Sequence, residues 1–268
     1  GNVAADGAAV AHLRVADHPG GCLFCPEKGH CADCMVTLRK AGVTTGCRSC
    51  PADLQCELQE MVERSGLQSV AYPVRYRALR VEKEDPFFDR DYNLCILCGR
   101  CIRACESLHF THIPAYVKRG SETRVGSSFG VSHLAAGCSF CGACVDACPT
   151  GTLMEKTRKW DGPASGETLS TCPLCALGCE LRLEHKDGAV TGSLPGDGAR
   201  LCVKGRFGVN ELLNHPARLR HVLKVENSQP LQASWDDAAH SAAEALSGCA
   251  ADEFAMLVSA SCTSQDLY

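Results

Sequence analysis

Eight cysteines in the middle of the chain fall into two runs of the same spacing. "NLCILCGRCIRACE" carries Cys95, Cys98, Cys101 and Cys105, and "AGCSFCGACVDACPTG" carries Cys138, Cys141, Cys144 and Cys148, followed by Pro149. Each run reads C-x2-C-x2-C-x3-C. Three thiolates that close together can wrap three corners of an iron–sulfide cube. A single zinc ion instead draws paired ligands from two separated knuckles.

The run, with its trailing proline, is the bacterial [4Fe-4S] pattern, in which the fourth cysteine ligates the other cluster. Cys95, Cys98, Cys101 and Cys148 are therefore assigned to one cluster, and Cys138, Cys141, Cys144 and Cys105 to the other. Gly99 and Gly142 relieve crowding where the backbone curls round the inorganic core. A zinc module is the competing reading.

"TCPLCALGCELRLEHKDGAVTGSLPGDGARLCVKG" supplies a third set, Cys172, Cys175, Cys179 and Cys202. The segment between the third and fourth cysteines alternates, turns at Asp187-Gly188 and alternates again, which predicts a hairpin. Such a hairpin returns Cys202 to the first three. A zinc ribbon is the alternative from spacing alone.

"HPGGCLFCPEKGHCADC" opens a fourth region, where His18, Cys22, Cys25 and Cys31 read H-x3-C-x2-C-x5-C. Cys34, Cys47, Cys50 and Cys56 repeat the C-x2-C-x5-C core. Seven cysteines precede residue 60, one short of two four-ligand clusters, and His18 makes eight donors. An imidazole in place of a thiolate removes negative charge and raises a cluster's potential. "GHCADCMVTL" also fits the core of a plant-type [2Fe-2S] site with Cys47 downstream, and that alternative stays open. With His18, the four regions offer ligands for five cubanes. Cys249 and Cys262 are left over and read as ordinary small residues. His109, His112 and His133 show no ligand spacing and read as surface or satisfied core residues.

The elements that must position these donors are modest. The chain has 268 residues with 8 Phe, 5 Tyr and 2 Trp, so large packing side chains are few and inorganic cross-links must help. The net charge of −4 and the lack of a Lys/Arg block give no footprint for nucleic acid. No apolar run reaches the ~18 residues of a membrane span. Closely spaced Cys-x-x-Cys steps and the lack of a signal-peptide pattern point to reduced cysteines in the cytoplasm.

The domain plan runs as follows. Residues 1–70 form a His/Cys-rich segment with two clusters, including a short helix within 53–66 stopped by Gly66. Residues 71–93 form a charged, aromatic connecting arm. Residues 94–160 form a two-cluster domain, and 161–170 a Gly/Ser/Pro linker. Residues 171–225 hold the third set. Residues 226–268 begin an α/β domain: a helix capped by Ser234 and Asp237 and stopped by Gly248, then a strand in "EFAMLVSAS".

"PFFDRDYNLCILCGRCIRACE", "FGVSHLAAGCSFCGACVDACPTG" and "CPLCALGCELRL…LCVKGRFG" together resemble the amino-terminal part of NAD-linked, molybdopterin-dependent formate dehydrogenase large subunits. The complex I large iron–sulfur subunit and electron-bifurcating hydrogenases are relatives of that family. The resemblance implies an α+β fold of small cluster-stabilised domains. A ferredoxin-like domain with two [4Fe-4S] clusters comes first, then the cluster-binding cap and first βα elements of a molybdopterin-oxidoreductase domain. It implies that His18 matches a histidine-ligated cluster. It also implies that Cys172, Cys175, Cys179 and Cys202 lie beside a molybdenum or tungsten bis-pterin, with Lys204 between cluster and pterin. The chain departs from the family in splitting the histidine motif over two copies of the cysteine core.

Three functions follow. The first is an electron-transfer subunit or fragment relaying through about five [4Fe-4S] clusters, between a flavin- or NAD-handling subunit and a catalytic one. The second is the amino-terminal part of a catalytic formate dehydrogenase whose pterin centre lies elsewhere. The third is a zinc-binding interaction module. No nucleophile set, phosphate loop or dinucleotide fingerprint appears, so these residues carry no catalytic centre of their own. No direct membrane insertion is expected.

Overall fold

The computed structural model describes residues 3–27, 44, 46–109, 111–250, 252–259 and 262. Among the described residues it is built of short helices and four small antiparallel sheets.

The amino-terminal stretch, weakly patterned in sequence, forms a helix over Val3–Ala16. Its alanines favour the helix but are too small to write a strong apolar stripe. Ala11 and Val15 are buried. Val15 packs with Cys50, Ala52, Cys56, Leu58, Val62 and Leu94 in one core. The short helix expected before Gly66 spans Glu57–Arg64 and buries Leu58 and Val62, one turn apart. Gly66 follows it with φ +62.

The two-cluster domain is a strand–loop–helix–strand unit used twice. Strand β1 (Phe88–Arg90) leads to the helix Arg100–His109 and then β2 (Pro114–Val117). Strand β3 (Arg124–Ser127) leads to the helix Ala143–Asp146 and then β4 (Leu153–Glu155). The outer strands pair, Phe88 opposite Glu155, and the inner strands pair, Pro114 opposite Ser127. Each cysteine run thus sits on the loop and helix between two strands.

The arm expected over 71–93 is an arm only in its first part, because β1 lies inside the domain. Phe88, Tyr92 and Leu94 are buried. Part of the charge that made this segment look solvated is paired in the interior. Buried Arg90 reaches Glu82 at 2.8 Å and Asp85 at 3.1 Å.

A three-stranded sheet follows, β5 (Gly166–Thr171), β6 (Glu180–Lys186) and β7 (Ala189–Pro195), in that order. The hairpin between β6 and β7 turns at Asp187 and Gly188, both with positive φ, the two-residue turn that suits right-twisted strands. The linker expected over 161–170 is part strand. Most of β5 is exposed and polar, so it carries no alternating signal, and backbone pairing to β6 holds it.

A further hairpin, β8 (Leu223–Glu226) with β9 (Gln229–Gln232), precedes the helix Trp235–Ser247. Ser234 accepts the Asp237 amide at 3.1 Å, as its sequence position suggests, and Gly248 closes the helix. The strand expected over 253–261 is not formed among the described residues, and Leu257 is fully exposed. An apolar strand needs a neighbour to pair with, and no described strand lies against it. No helix among the described residues is long and apolar enough to cross a membrane.

Candidate metal centres

The loops that begin the two cysteine runs have the same shape. The Leu97 amide donates to Cys95 Sγ at 3.4 Å, and the Phe140 amide donates to Cys138 Sγ at 3.3 Å. Leu97 and Gly99 have φ of +56° and +71°; Phe140 and Gly142 have +53° and +80°. A left-handed conformation costs a non-glycine residue roughly 1–2 kcal/mol. Here it turns backbone N–H groups toward sulfur, the arrangement a negatively charged cluster requires.

The fourth cysteines cross over. Cys95 is pushed up to about 11 by burial and then by Cys148 and Cys98. Cys101 is pushed up to about 12 by burial, then by Cys148, Cys95 and Cys98. Cys105 acts in the same way on Cys138, Cys141 and Cys144, again after burial. So Cys148 sits with the first run and Cys105 with the second. Cys95, Cys98, Cys101 and Cys148 also line one cavity, together with Tyr92 and His133.

Crowded, buried thiols resist ionisation, which only a strong local cation reverses. Iron supplies that charge, so these donor sets fit clusters. Among the described residues no three His, Cys, Asp or Glu side chains converge on one ion-sized point. Cys95, Cys98, Cys101 and Cys148 line a cavity instead.

The third set is gathered by the β5–β6–β7 sheet. Cys172 follows β5 and Cys179 precedes β6, and the Cys172 amide donates to the Cys179 carbonyl at 2.8 Å. Burial, then Cys172, Cys175 and Cys202, raise the Cys179 thiol, so all four stand together. Cys175 and Cys202 are exposed. Lys204, exposed, opens the wide turn Lys204–Gly208 just after Cys202.

The amino-terminal donors are grouped differently from their spacing in sequence. His18 lines a cavity with Cys47, Cys50 and Cys56. It is buried, its Nδ1 has no hydrogen-bond partner, and burial lowers its pKa to about 4. Cys22 and Cys25 line a wider cleft with Cys47 and Cys56, which His18 does not reach. The reason lies in the helix Val3–Ala16. Its end packs on the core that includes Cys50 and Cys56, which sets His18 there, while the turn Gly21–Leu23 carries the next cysteines outward. Cys47 is pushed up to about 12 by burial, then by Cys22 and Cys56. Asp53 steadies the Cys47–Cys56 loop by accepting from Arg48 and Gln59, both at 2.8 Å. Cys31, Cys34 and most of the [2Fe-2S]-like stretch lie outside the described residues.

Two residues escape a reading of the sequence. His133, ordinary by its spacing, is 1 % exposed, and neither ring nitrogen has a hydrogen-bond partner. Arg206, four places past Cys202, is buried against Asp146 and Glu155 of the two-cluster domain. Neither residue has a spacing signal: the partners of Arg206 are distant in sequence, and His133 is marked only by its burial. Cys249 is exposed and Cys262 partly so.

Comparison with known proteins covers both cluster regions. Residues 94–152 match the 4Fe-4S dicluster domain, and residues 166–214 match the molybdopterin oxidoreductase Fe4S4 domain. The chain is 32% identical over 206 residues to the NADPH-Fe(3+) oxidoreductase subunit alpha of Geobacter sulfurreducens, covering 75% of this chain and 24% of that protein. It is 28% identical over 245 residues to NADH-quinone oxidoreductase subunit 3 of Thermus thermophilus, covering 82% of this chain and 30% of that protein. An NADP-reducing hydrogenase subunit of Solidesulfovibrio fructosivorans is 28% identical over 152 residues, covering 57% of this chain and 22% of its own length. The chain thus spans under a third of the length of each of these curated relatives.

Proposed function

We propose that this chain, whose two matched domains are iron–sulfur electron-transfer domains of molybdopterin oxidoreductase type, relays single electrons along a row of about five [4Fe-4S] clusters. The observation that carries the reading is the exchange of fourth thiols, Cys148 standing with Cys95 and Cys101 while Cys105 stands with Cys138 and Cys141. An exchange of this kind places two clusters side by side.

The row extends in both directions. Burial first, and then the neighbouring Cys148, disfavour ionisation of Cys56, so the His18, Cys47, Cys50, Cys56 set adjoins the first cluster. The Glu57 amide donates to the Pro149 carbonyl at 3.0 Å, and Arg100 grips the Glu57 carboxylate at 2.6 and 2.8 Å. At the other end, Arg206 joins the Cys202 turn to the helix that carries Cys144. Cys22, Cys25, Cys31 and Cys34 remain as a fifth set by count. In each set the chain's task is to hold spacing and potential through ligand type, hydrogen bonding and burial.

A second reading is supported by Lys204, exposed beside Cys202. Its ammonium can meet an anionic group docked there, such as a Mo/W-bis-pterin. Such a group would supply two-electron chemistry on a substrate such as formate. In either reading the partners are redox subunits, one handling flavin or NAD and one catalytic.

The test is Cys148→Ser in chain purified without air. The relay reading expects the signal of the Cys95 cluster to change while the Cys138 cluster keeps its own. Loss confined to the Cys138 cluster contradicts the exchange.

A further inference from the structure

His133 is a buried polar side chain with nothing to bond to. It is 1 % exposed, and its Nδ1 and Nε2 both lack a partner. Leaving a buried donor or acceptor unpaired costs roughly 1–3 kcal/mol, so such a group calls for an explanation. Its position is not slack. The His133 carbonyl accepts the Cys138 amide at 3.0 Å, and the next amide, of Leu134, donates to Asp85 Oδ1 at 3.0 Å. The ring stands edge-on to Phe88, with centroids 5.6 Å apart. The chain therefore fixes this imidazole beside the cavity lined by Cys95, Cys98, Cys101 and Cys148.

We propose that His133 donates a hydrogen bond from its imidazole N–H to a sulfur of the cluster on Cys95, Cys98, Cys101 and Cys148, and so raises that cluster's potential. The inference rests on the cluster reading above. Four thiols already satisfy four iron corners, so the imidazole acts as a donor beside the cluster, not as a ligand. A neutral imidazole has one N–H and one lone pair. Burial first, and the Arg90 guanidinium second, keep the ring neutral, against the opposing pull of Asp85. Arg90 itself has Nε and Nη1 without partners. A donor on that side would engage the imidazole lone pair and leave the N–H for sulfur. A hydrogen bond to cluster sulfur favours the more negative, reduced state, which is why it raises the potential.

The experiment compares His133→Leu with His133→Gln in the iron-loaded chain, by redox titration with EPR detection and iron counting. His133→Leu removes the donor, so at a fixed solution potential the reduced-to-oxidised ratio of this cluster falls about tenfold, or ~59 mV for a one-electron couple. His133→Gln keeps an N–H and recovers most of the shift. An unmoved potential in His133→Leu with full iron content overturns the inference while leaving the relay reading intact, and would mean that buried water satisfies the ring. Should both variants lose the cluster, native His133 is tested in a His18→Cys background labelled with 15N-histidine. Pulsed EPR then finds a weak nitrogen coupling on the reduced cluster, and its absence overturns the role. A native chain with no iron and no sulfide overturns both readings.

Discussion

Arg206 Nη2 lies 2.7 Å from Asp146 Oδ1, across the junction between the two matched cluster domains. Its Nη1 lies 2.7 Å from Glu155 Oε2, and Phe207 stacks on Phe87 at 4.9 Å. Burial alone would discharge the guanidinium, but the two carboxylates outweigh it and hold the proton more tightly than usual. The contact fixes the turn after Cys202 against the helix Ala143–Asp146.

Replacing Arg206 with Met leaves Glu155 and much of Asp146 buried without a cation. Breaking such a pair from one side costs ~3–5 kcal/mol. Chemical denaturation of the loaded chain should show that loss, and electron transfer between the second and third clusters should slow. Unaltered stability would place these carboxylates in water.

Gly142→Ala and Gly137→Ala form a matched pair. Both glycines have φ near +80°, but a Cβ on Gly142 would stand 2.6 Å from Arg206 Cγ, while one on Gly137 meets nothing within 4 Å. Each substitution carries the left-handed cost of roughly 1–2 kcal/mol. Gly142→Ala should cost measurably more by thermal denaturation, and equal losses would mean that the Arg206 stem is not fixed there.

His18→Ala should remove one cluster, about four irons per chain, and leave the signals of the two ferredoxin-type clusters in place. His18→Cys should keep the iron and lower that cluster's potential, because a thiolate restores the negative charge. Iron content unchanged in His18→Ala would show that His18 is not a ligand.

The pH dependence should reverse with loading. In the metal-free chain the folded-state pKa of Cys95, Cys47 and Cys101 rises from 9.0 to about 11 or 12, chiefly through burial. The stability contributed by these neutral thiols is whole below about pH 9 and is lost as pH climbs toward 11–12. In the loaded chain the same groups are metal-bound thiolates, so acid competes with iron and stability falls as pH drops. Anaerobic denaturation with and without chelator checks both slopes.

Much of this is legible in the cysteines, because cluster ligation dictates their spacing, and in the Asp187-Gly188 turn, whose geometry demands such residues. The amino-terminal helix is hidden by alanines that favour helix without marking a face. Arg90, Asp85 and Arg206 look like surface charges because pairing across long sequence distances is invisible in one dimension. The ligand count points to His18 as a donor, but spacing assigns its companions by proximity along the chain. Among the described residues it lines a cavity with Cys47, Cys50 and Cys56. His133 has no signal at all, since its importance lies in what it lacks.

The central claim is tested most directly by iron, acid-labile sulfide and zinc analysis of the chain isolated without air. The account predicts roughly twenty irons with as many sulfides per chain and little zinc. Colourless protein holding zinc and no labile sulfide would contradict it.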